Sequence, residues 1–256
     1  MKIINHGEGE KTLCLITGIH GNEASIFEPL KRFIKTLNVN VKIKLILANE
    51  EAAKRDIRFV EEDLNRAFRS LNNTLESNLA RKLKKLCNAD LVIDFHTHGG
   101  EEVFSLVSEQ FFSYEIKNFI NSLDFQNCIV MDPTVTNQGA LIENVPNSVS
   151  IETGKHKSKE AFKVTKQSLL KAIDFMNNKC SSSETRILKS KYFLYNNQDT
   201  GIRVSPEIKN FKKIDSGTEV ASGIVIESEL IPTLVSYNVE PGKKIFLACE
   251  VQNENI

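Results

Sequence analysis

The most constraining feature of this chain is an alternation repeated over its first two-thirds: a short apolar run, then a segment with apolar residues at helical spacing. Residues 12–17 (Thr-Leu-Cys-Leu-Ile-Thr) are nearly all apolar and stop at Gly18, the pattern of a strand covered on both faces. Ile26, Phe27, Leu30, Phe33, Ile34 and Leu37 then recur along one helical face, with Lys and Glu on the other. Residues 41–48 alternate apolar and basic before turning fully apolar, which predicts a strand nearer the sheet edge. A third buried strand is predicted at 91–95 and shorter ones at 127–131 and 148–152. Between them, Leu75, Leu79, Leu83 and Leu86 predict a helix opened by an Asn73–Glu76 capping box. Phe112, Ile116, Phe119, Ile120 and Leu123 predict another, and a long helix is predicted from about Ser158 to Asn178. Strand–helix alternation of this kind predicts an α/β/α sandwich, with helices on both faces of a mostly parallel mixed sheet.

The character changes at Cys180-Ser181-Ser182-Ser183-Glu184, a polar stretch suited to a linker. Beyond it, β-like runs at about 187–195, 201–204, 222–227, 233–238 and 244–250 are separated by Asp215-Ser216-Gly217, Ser222-Gly223 and Pro241-Gly242. The expected organisation is an α/β domain over 1–180 and a small all-β domain over 184–256. The last of the five histidines is His156, so chemistry that relies on histidine belongs to the first domain.

Charge narrows the function classes. Lys plus Arg and Asp plus Glu are equal at 33 each, with no long basic run, which argues against a nucleic-acid partner. The five cysteines are scattered without a CxxC pair and read as reduced, buried thiols. The first residues lack an apolar signal region and no apolar run reaches membrane-spanning length, so a cytoplasmic protein with no membrane partner is expected.

Two strand ends carry the chemistry. Gly18-Ile19-His20-Gly21-Asn22-Glu23 lies where a buried strand gives way to a helix, a position where open α/β sheets bind ligands. His20 and Glu23, three apart across the turn, can converge on one ion, although His-x-x-Glu alone is commonplace. Asp94-Phe95-His96-Thr97-His98 ends the next strong strand, with Asp94, His96 and His98 alternating onto one side. Asp94 is the kind of carboxylate that orients a metal-bound imidazole. His20, Glu23 and His96 thus form a three-ligand set of the type that leaves zinc an open position, with His98 spare. In the polar segment 55–66, an arginine can stabilise an oxyanion, and Asn65-Arg66 can grip a carboxylate. Glu152, at the end of Val149-Ser150-Ile151, can serve as general base.

Taken in order, Gly18 to Glu23, Asn49 with Ala52, Arg58 through Asp63-Leu64-Asn65-Arg66, Asp94-Phe95-His96 and Ile151-Glu152-Thr153-Gly154 resemble the succinylglutamate desuccinylase/aspartoacylase family of the zinc carboxypeptidase superfamily. The resemblance implies a zinc-carboxypeptidase-like sandwich with a small C-terminal β domain. It implies one Zn2+ per chain on His20, Glu23 and His96, with Glu152 as base and proton donor. Arg58 would polarise the scissile carbonyl, Asn65 and Arg66 would hold a substrate carboxylate, and Asp63 would position their segment. The implied reaction is hydrolysis of an N-acyl amino acid or similar small amide to a carboxylate and an amine. A metallocarboxypeptidase acting on a peptide or cell-wall fragment is the alternative, and a binding protein without turnover a third. One departure concerns the substrate. Aspartoacylase reads its substrate with a further arginine ahead of the catalytic Glu, whereas no arginine lies between Arg81 and Arg186 here, which argues against N-acetylaspartate. The tyrosine that family members bring to the substrate is open among Tyr192, Tyr195 and Tyr237.

Overall fold

The structure, a computed structural model, describes residues 1–136, 138–179 and 183–252. In chain order its elements begin with β1 (Lys2–His6), β2 (Thr12–Thr17), α1 (Phe27–Ile34), β3 (Lys42–Leu47), α2 (Glu50–Arg55) and α3 (Leu75–Leu86). There follow β4 (Leu91–His98), β5 (Phe104–Ser108), α4 (Tyr114–Ser122), β6 (Asn127–Met131), β7 (Ser148–Lys155) and α5 (Lys159–Met176). The remainder is all strand: β8 (Arg186–Tyr195), β9 (Ile202–Arg203), β10 (Glu219–Ala221), β11 (Ile224–Val225), β12 (Ile231–Thr233), β13 (Asn238–Val239) and β14 (Lys244–Val251).

Ten strands form one sheet in the order β1-β3-β2-β4-β7-β5-β6-β8-β14-β12. Neighbours from β3 to β7 run parallel, β5 runs antiparallel to β7, and β1 closes one edge antiparallel to β3. Apolar side chains leave the sheet on both sides, as a doubly covered sheet requires. On one face Leu15, Leu45, Ile93 and Ile151 pack with Leu30 and Ile34 of α1, Phe119 of α4 and Leu169 of α5. On the other, Cys14, Ile16, Ile46 and Val92 pack with Ala80 and Leu83 of α3 and with Leu64 and Phe68. The α/β sandwich with a mostly parallel mixed sheet is therefore the observed architecture.

The tail does more than form a small β unit. β8 pairs parallel to β6, β14 pairs with β8, and β12 with β14, so the sheet runs straight across the change in sequence character. Two small antiparallel sheets, β10–β11 and β13–β9, stand apart, around a cluster that includes Ile202, Val204, Val220, Val239 and Phe246. Of the polar stretch 180–184, residues 180–182 lie outside the described residues. No helix among the described residues is long and apolar enough to cross a membrane.

The start of α3 is a correction. Its capping box is made by Thr74 and Ser77, one residue later than the Asn73–Glu76 pair predicted from sequence. Thr74 has the extended backbone a cap needs, and Glu76 is drawn elsewhere, fully buried beneath the segment that precedes the helix.

Candidate metal centre and active-site cleft

The site forms at the carboxyl ends of β2, β4 and β7. After Thr17 the chain turns at Gly18, whose φ of +64° suits glycine, and enters the 3₁₀ turn Gly21–Ile26 with His20 as its cap. That turn brings Glu23 back beneath His20, whose Nδ1 lies 2.7 Å from Glu23 Oε1. From β4, His96 Nδ1 lies 3.0 Å from Glu23 Oε2, and the Thr97 N–H donates to the same oxygen at 3.1 Å. The outward nitrogens also face carboxylates: His96 Nε2 is 2.7 Å from Asp94 Oδ2, and His20 Nε2 is 3.2 Å from Asp63 Oδ1. Both imidazoles are thereby fixed with Nδ1 inward.

One ligand atom from each of His20, Glu23 and His96 lies within 4.8 Å of the others, and all three residues are buried. Two imidazole nitrogens and a carboxylate are a donor set that suits zinc, whose bonds of about 2.0–2.2 Å need this convergence. The charge balance fits a cation too. Burial works against the charge on Glu23 and Asp63, yet hydrogen bonds from the histidines hold both carboxyls well below the usual range. Burial opposes a charge on His96 as well, and Asp94 and Glu23 outweigh it, pushing its pKa up.

Parallel pairing places the remaining groups. β4 and β7 align Asp94 with Ser150 and His96 with Glu152, so these four side chains face one cleft. Glu152 Oε2 is buried with no hydrogen-bond partner in the protein, and burial is the chief cause that raises its carboxyl above the ordinary value. Across the cleft, Arg58 grips Asp63 Oδ2 through Nε at 3.1 Å and a terminal nitrogen at 2.9 Å, and lies 3.8 Å from Glu23 Oε1. Asp63 caps the 3₁₀ turn Leu64–Arg69, which carries Asn65 and Arg66 into the cleft wall. The structure thus gathers His20, Glu23, His96, Glu152, Arg58, Asn65 and Arg66 around a single cavity of about 280 Å³.

His98 also reaches the cavity, but β4 shifts register after His96 and the ring turns to its own loop. Its Nε2–H donates to the Glu102 carbonyl at 2.8 Å and its Nδ1 accepts from the Gly100 N–H at 3.0 Å, which leaves no nitrogen for a metal. Of the three tyrosines, Tyr195 lines the cavity, whereas the Tyr237 hydroxyl donates to the Ile208 carbonyl. The tail adds Phe193, Leu234 and Lys244, none of them singled out from sequence. Lys244 Nζ stands 3.5 Å from the centre of the Phe193 ring. Burial and the neighbouring Arg66 lower its pKa, and it pairs with no carboxylate among the described residues.

The Asn65–Arg66 wall is stitched to the segment after β6. Leu141 N–H donates to Asn65 Oδ1 at 2.9 Å, and Phe68 N–H to the Gly139 carbonyl at 3.2 Å. Gly139 lies so close to Arg66 that a Cβ would collide with its carbonyl. Gly139→Ala is expected to push the two segments apart and raise KM about tenfold by displacing Arg66, with a smaller change in kcat. An unchanged KM would show that this contact does not set the position of Arg66.

The fold thus sets a buried His-Glu-His cluster that could hold a metal ion opposite the Glu152 carboxylate at the strand ends. Residues 9–173, well over half the chain, match the succinylglutamate desuccinylase/aspartoacylase catalytic domain. The chain belongs to that family. It is 32% identical over 98 residues to a probable aspartoacylase of Prochlorococcus marinus, covering 34% of this chain and 33% of that protein. It is 35% identical over 79 residues to a succinylglutamate desuccinylase of Pseudomonas paraeruginosa, covering 29% of this chain and 24% of that one. These matches span a third or less of each relative. In fold it is similar to a succinylglutamate desuccinylase/aspartoacylase structure from Rhodobacter sphaeroides, with a TM-score of 0.77 at 16% identity, over 98% of this chain and 89% of the other.

Proposed function

We propose that this chain is a zinc-dependent hydrolase that cleaves the amide bond of an N-acyl amino acid. The observation that carries this reading is the meeting, in one cleft, of a possible three-donor metal cluster with two arginines and with the half-buried Glu152, whose Oε2 has no hydrogen-bond partner. Zinc, when bound to His20, Glu23 and His96, lowers the pKa of water and polarises a carbonyl. Glu152 accepts the proton lost by the attacking water and returns it to the leaving nitrogen. Arg58, held by Asp63, faces the negative charge that develops on the carbonyl oxygen. Asn65 and Arg66 anchor the substrate carboxylate, which sets the amide in reach of both.

Lys244 points to the substrate class. Its ammonium lies over the Phe193 ring and pairs with no carboxylate among the described residues, so it offers a second anion contact to a substrate that carries a further acidic group. Lys244→Met is expected to lower kcat/KM for acidic N-acyl amino acids relative to neutral ones by about tenfold, the scale of one charged hydrogen bond at a half-exposed site. A ratio equal to that of the unaltered protein would remove Lys244 from recognition.

The reading as a whole is tested by metal analysis and a panel of N-acetyl and N-succinyl amino acids with short peptides. Zinc near one per chain with release of free amino acid supports it. Cleavage of C-terminal residues from peptides, with acyl amino acids untouched, would instead identify a carboxypeptidase.

A further inference from the structure

Glu76 is a fully buried carboxylate with no cation beside it among the described residues. A buried charge without a counter-ion is retained only where hydrogen bonds replace its hydration. Four donors do so here. Oε1 accepts from Asn49 Nδ2 at 2.9 Å and from the Val60 N–H at 2.7 Å. Oε2 accepts from the N–H groups of Glu61 and Glu62 at 3.2 and 3.3 Å. Burial alone would raise this carboxyl, and the donors, led by Val60, outweigh it. Glu76 lies in the first turn of α3 but takes no part in its capping box, which Thr74 and Ser77 make.

Three of the four donors belong to the strap 57–63, which carries Arg58 and Asp63 over the metal centre. Ile57 and Phe59 are 38% and 39% exposed and Val60 is only half-buried, so burial of its own apolar side chains holds the strap weakly. Polar hooks fix it. At one end the Ile57 and Arg58 carbonyls accept from the N–H groups of Asn22 and Gly21, both at 3.0 Å, beside His20. At the other end, Glu61 and Glu62 reach back to the Leu75 N–H and to the Ser70 and Thr74 hydroxyls, through side chains that remain open to solvent. Glu76 alone fixes three consecutive backbone groups from beneath.

We propose that Glu76 is a positioning residue for catalysis, whose carboxylate locks the strap so that Arg58 and Asp63 meet the metal centre in one arrangement. The inference rests on the hydrolase reading and deepens it. Glu76→Gln keeps the shape, but the amide NH2 faces N–H donors and half of the cradle loses its acceptor. With Arg58 released, kcat is expected to fall about 10- to 100-fold, as expected for an ångström-scale misplacement. KM is expected to change less than about threefold, because Asn65 and Arg66 ride on a turn anchored by buried Leu64, Ala67 and Phe68. The deciding measurement is a double-mutant cycle. In an Arg58→Ala background, Glu76→Gln is expected to cost clearly less than in the unaltered protein, since the Arg58 route is gone and only the Asp63 contact to His20 remains.

The same kcat loss in both backgrounds would show a general structural role and overturn the proposal, as would a Glu76→Gln kcat equal to that of the unaltered protein. Should Glu76→Gln not fold, Glu76→Asp, which keeps the charge and shortens its reach, is measured by the same two criteria. Failure of the underlying reading is distinguishable: the unaltered protein would then hydrolyse nothing in the panel, and Arg58→Ala would change no rate.

Discussion

Glu152→Gln is expected to lower kcat by about 10²- to 10⁴-fold, the range for loss of a positioned general base. The substitution is close to isosteric, and Glu152 Oε2 has no hydrogen-bond partner in the protein, so the change breaks no internal bond there. Metal content and melting temperature should therefore stay near those of the unaltered protein, which separates a chemical loss from a structural one. The position itself comes from strand register. Glu152 pairs with His96 across β4 and β7, and parallel neighbours present side chains on the same face. A carboxylate raised by burial is suited to take a proton and hand it back. Gln accepts a hydrogen bond but cannot accept the proton. Turnover within threefold of the unaltered protein would eliminate Glu152 as the base, whatever the metal does.

Much of this site was legible because it is written locally. An apolar run ending in Gly18-Ile19-His20, and another ending in Asp94-Phe95-His96, place donors at strand ends wherever those strands sit in the sheet. What sequence reading lacked was pairing partners. β1 is largely exposed and alternates weakly, so it does not stand out as a strand, and β5 was not singled out either, although both pair into the sheet. In the tail, 187–195 and 244–250 read correctly as strands, whereas of the predicted 233–238 run only its two ends fall in β12 and β13, and β10 was not predicted; nothing local in Arg186–Tyr195 tells that it lies beside β6. Lys244 was illegible for the same reason, since a lysine at the start of a strand is ordinary until β14 is laid against β8 and delivers it to the cleft. Glu76 misled by proximity. Its spacing from Asn73 fits a capping box, whereas its partners, Asn49 and residues 60–62, are set by the fold. His98, left spare beside the ligand set, has the type and spacing of a ligand yet spends both nitrogens on its own loop, as only the fold shows.

On the proposed zinc reading, removal of the metal is expected to abolish turnover and to destabilise the fold. Glu23, Asp63, Asp94 and Glu152 surround two imidazoles in a largely buried cluster, and the carboxylates repel unless positive charge stands among them. Metal bound only by the folded state stabilises it by mass action, about 2.7 kcal/mol at a free concentration 100-fold above Kd. For a chain of this size that corresponds to roughly 5–10 °C in melting temperature. Exhaustive chelation should produce a shift of that order, and added zinc should reverse both the shift and the loss of activity. Glu23→Ala should go further than chelation, because it deletes a ligand and leaves the buried Thr97 N–H and both inward nitrogens without their acceptor. Asp94→Asn keeps every ligand but removes the charge that orients His96, so zinc affinity is expected to drop by about 10- to 100-fold with the fold intact. That graded order, Glu23→Ala beyond Asp94→Asn, is what a metal centre demands. A protein that retains full activity and an unchanged melting curve after chelation would refute the metal centre.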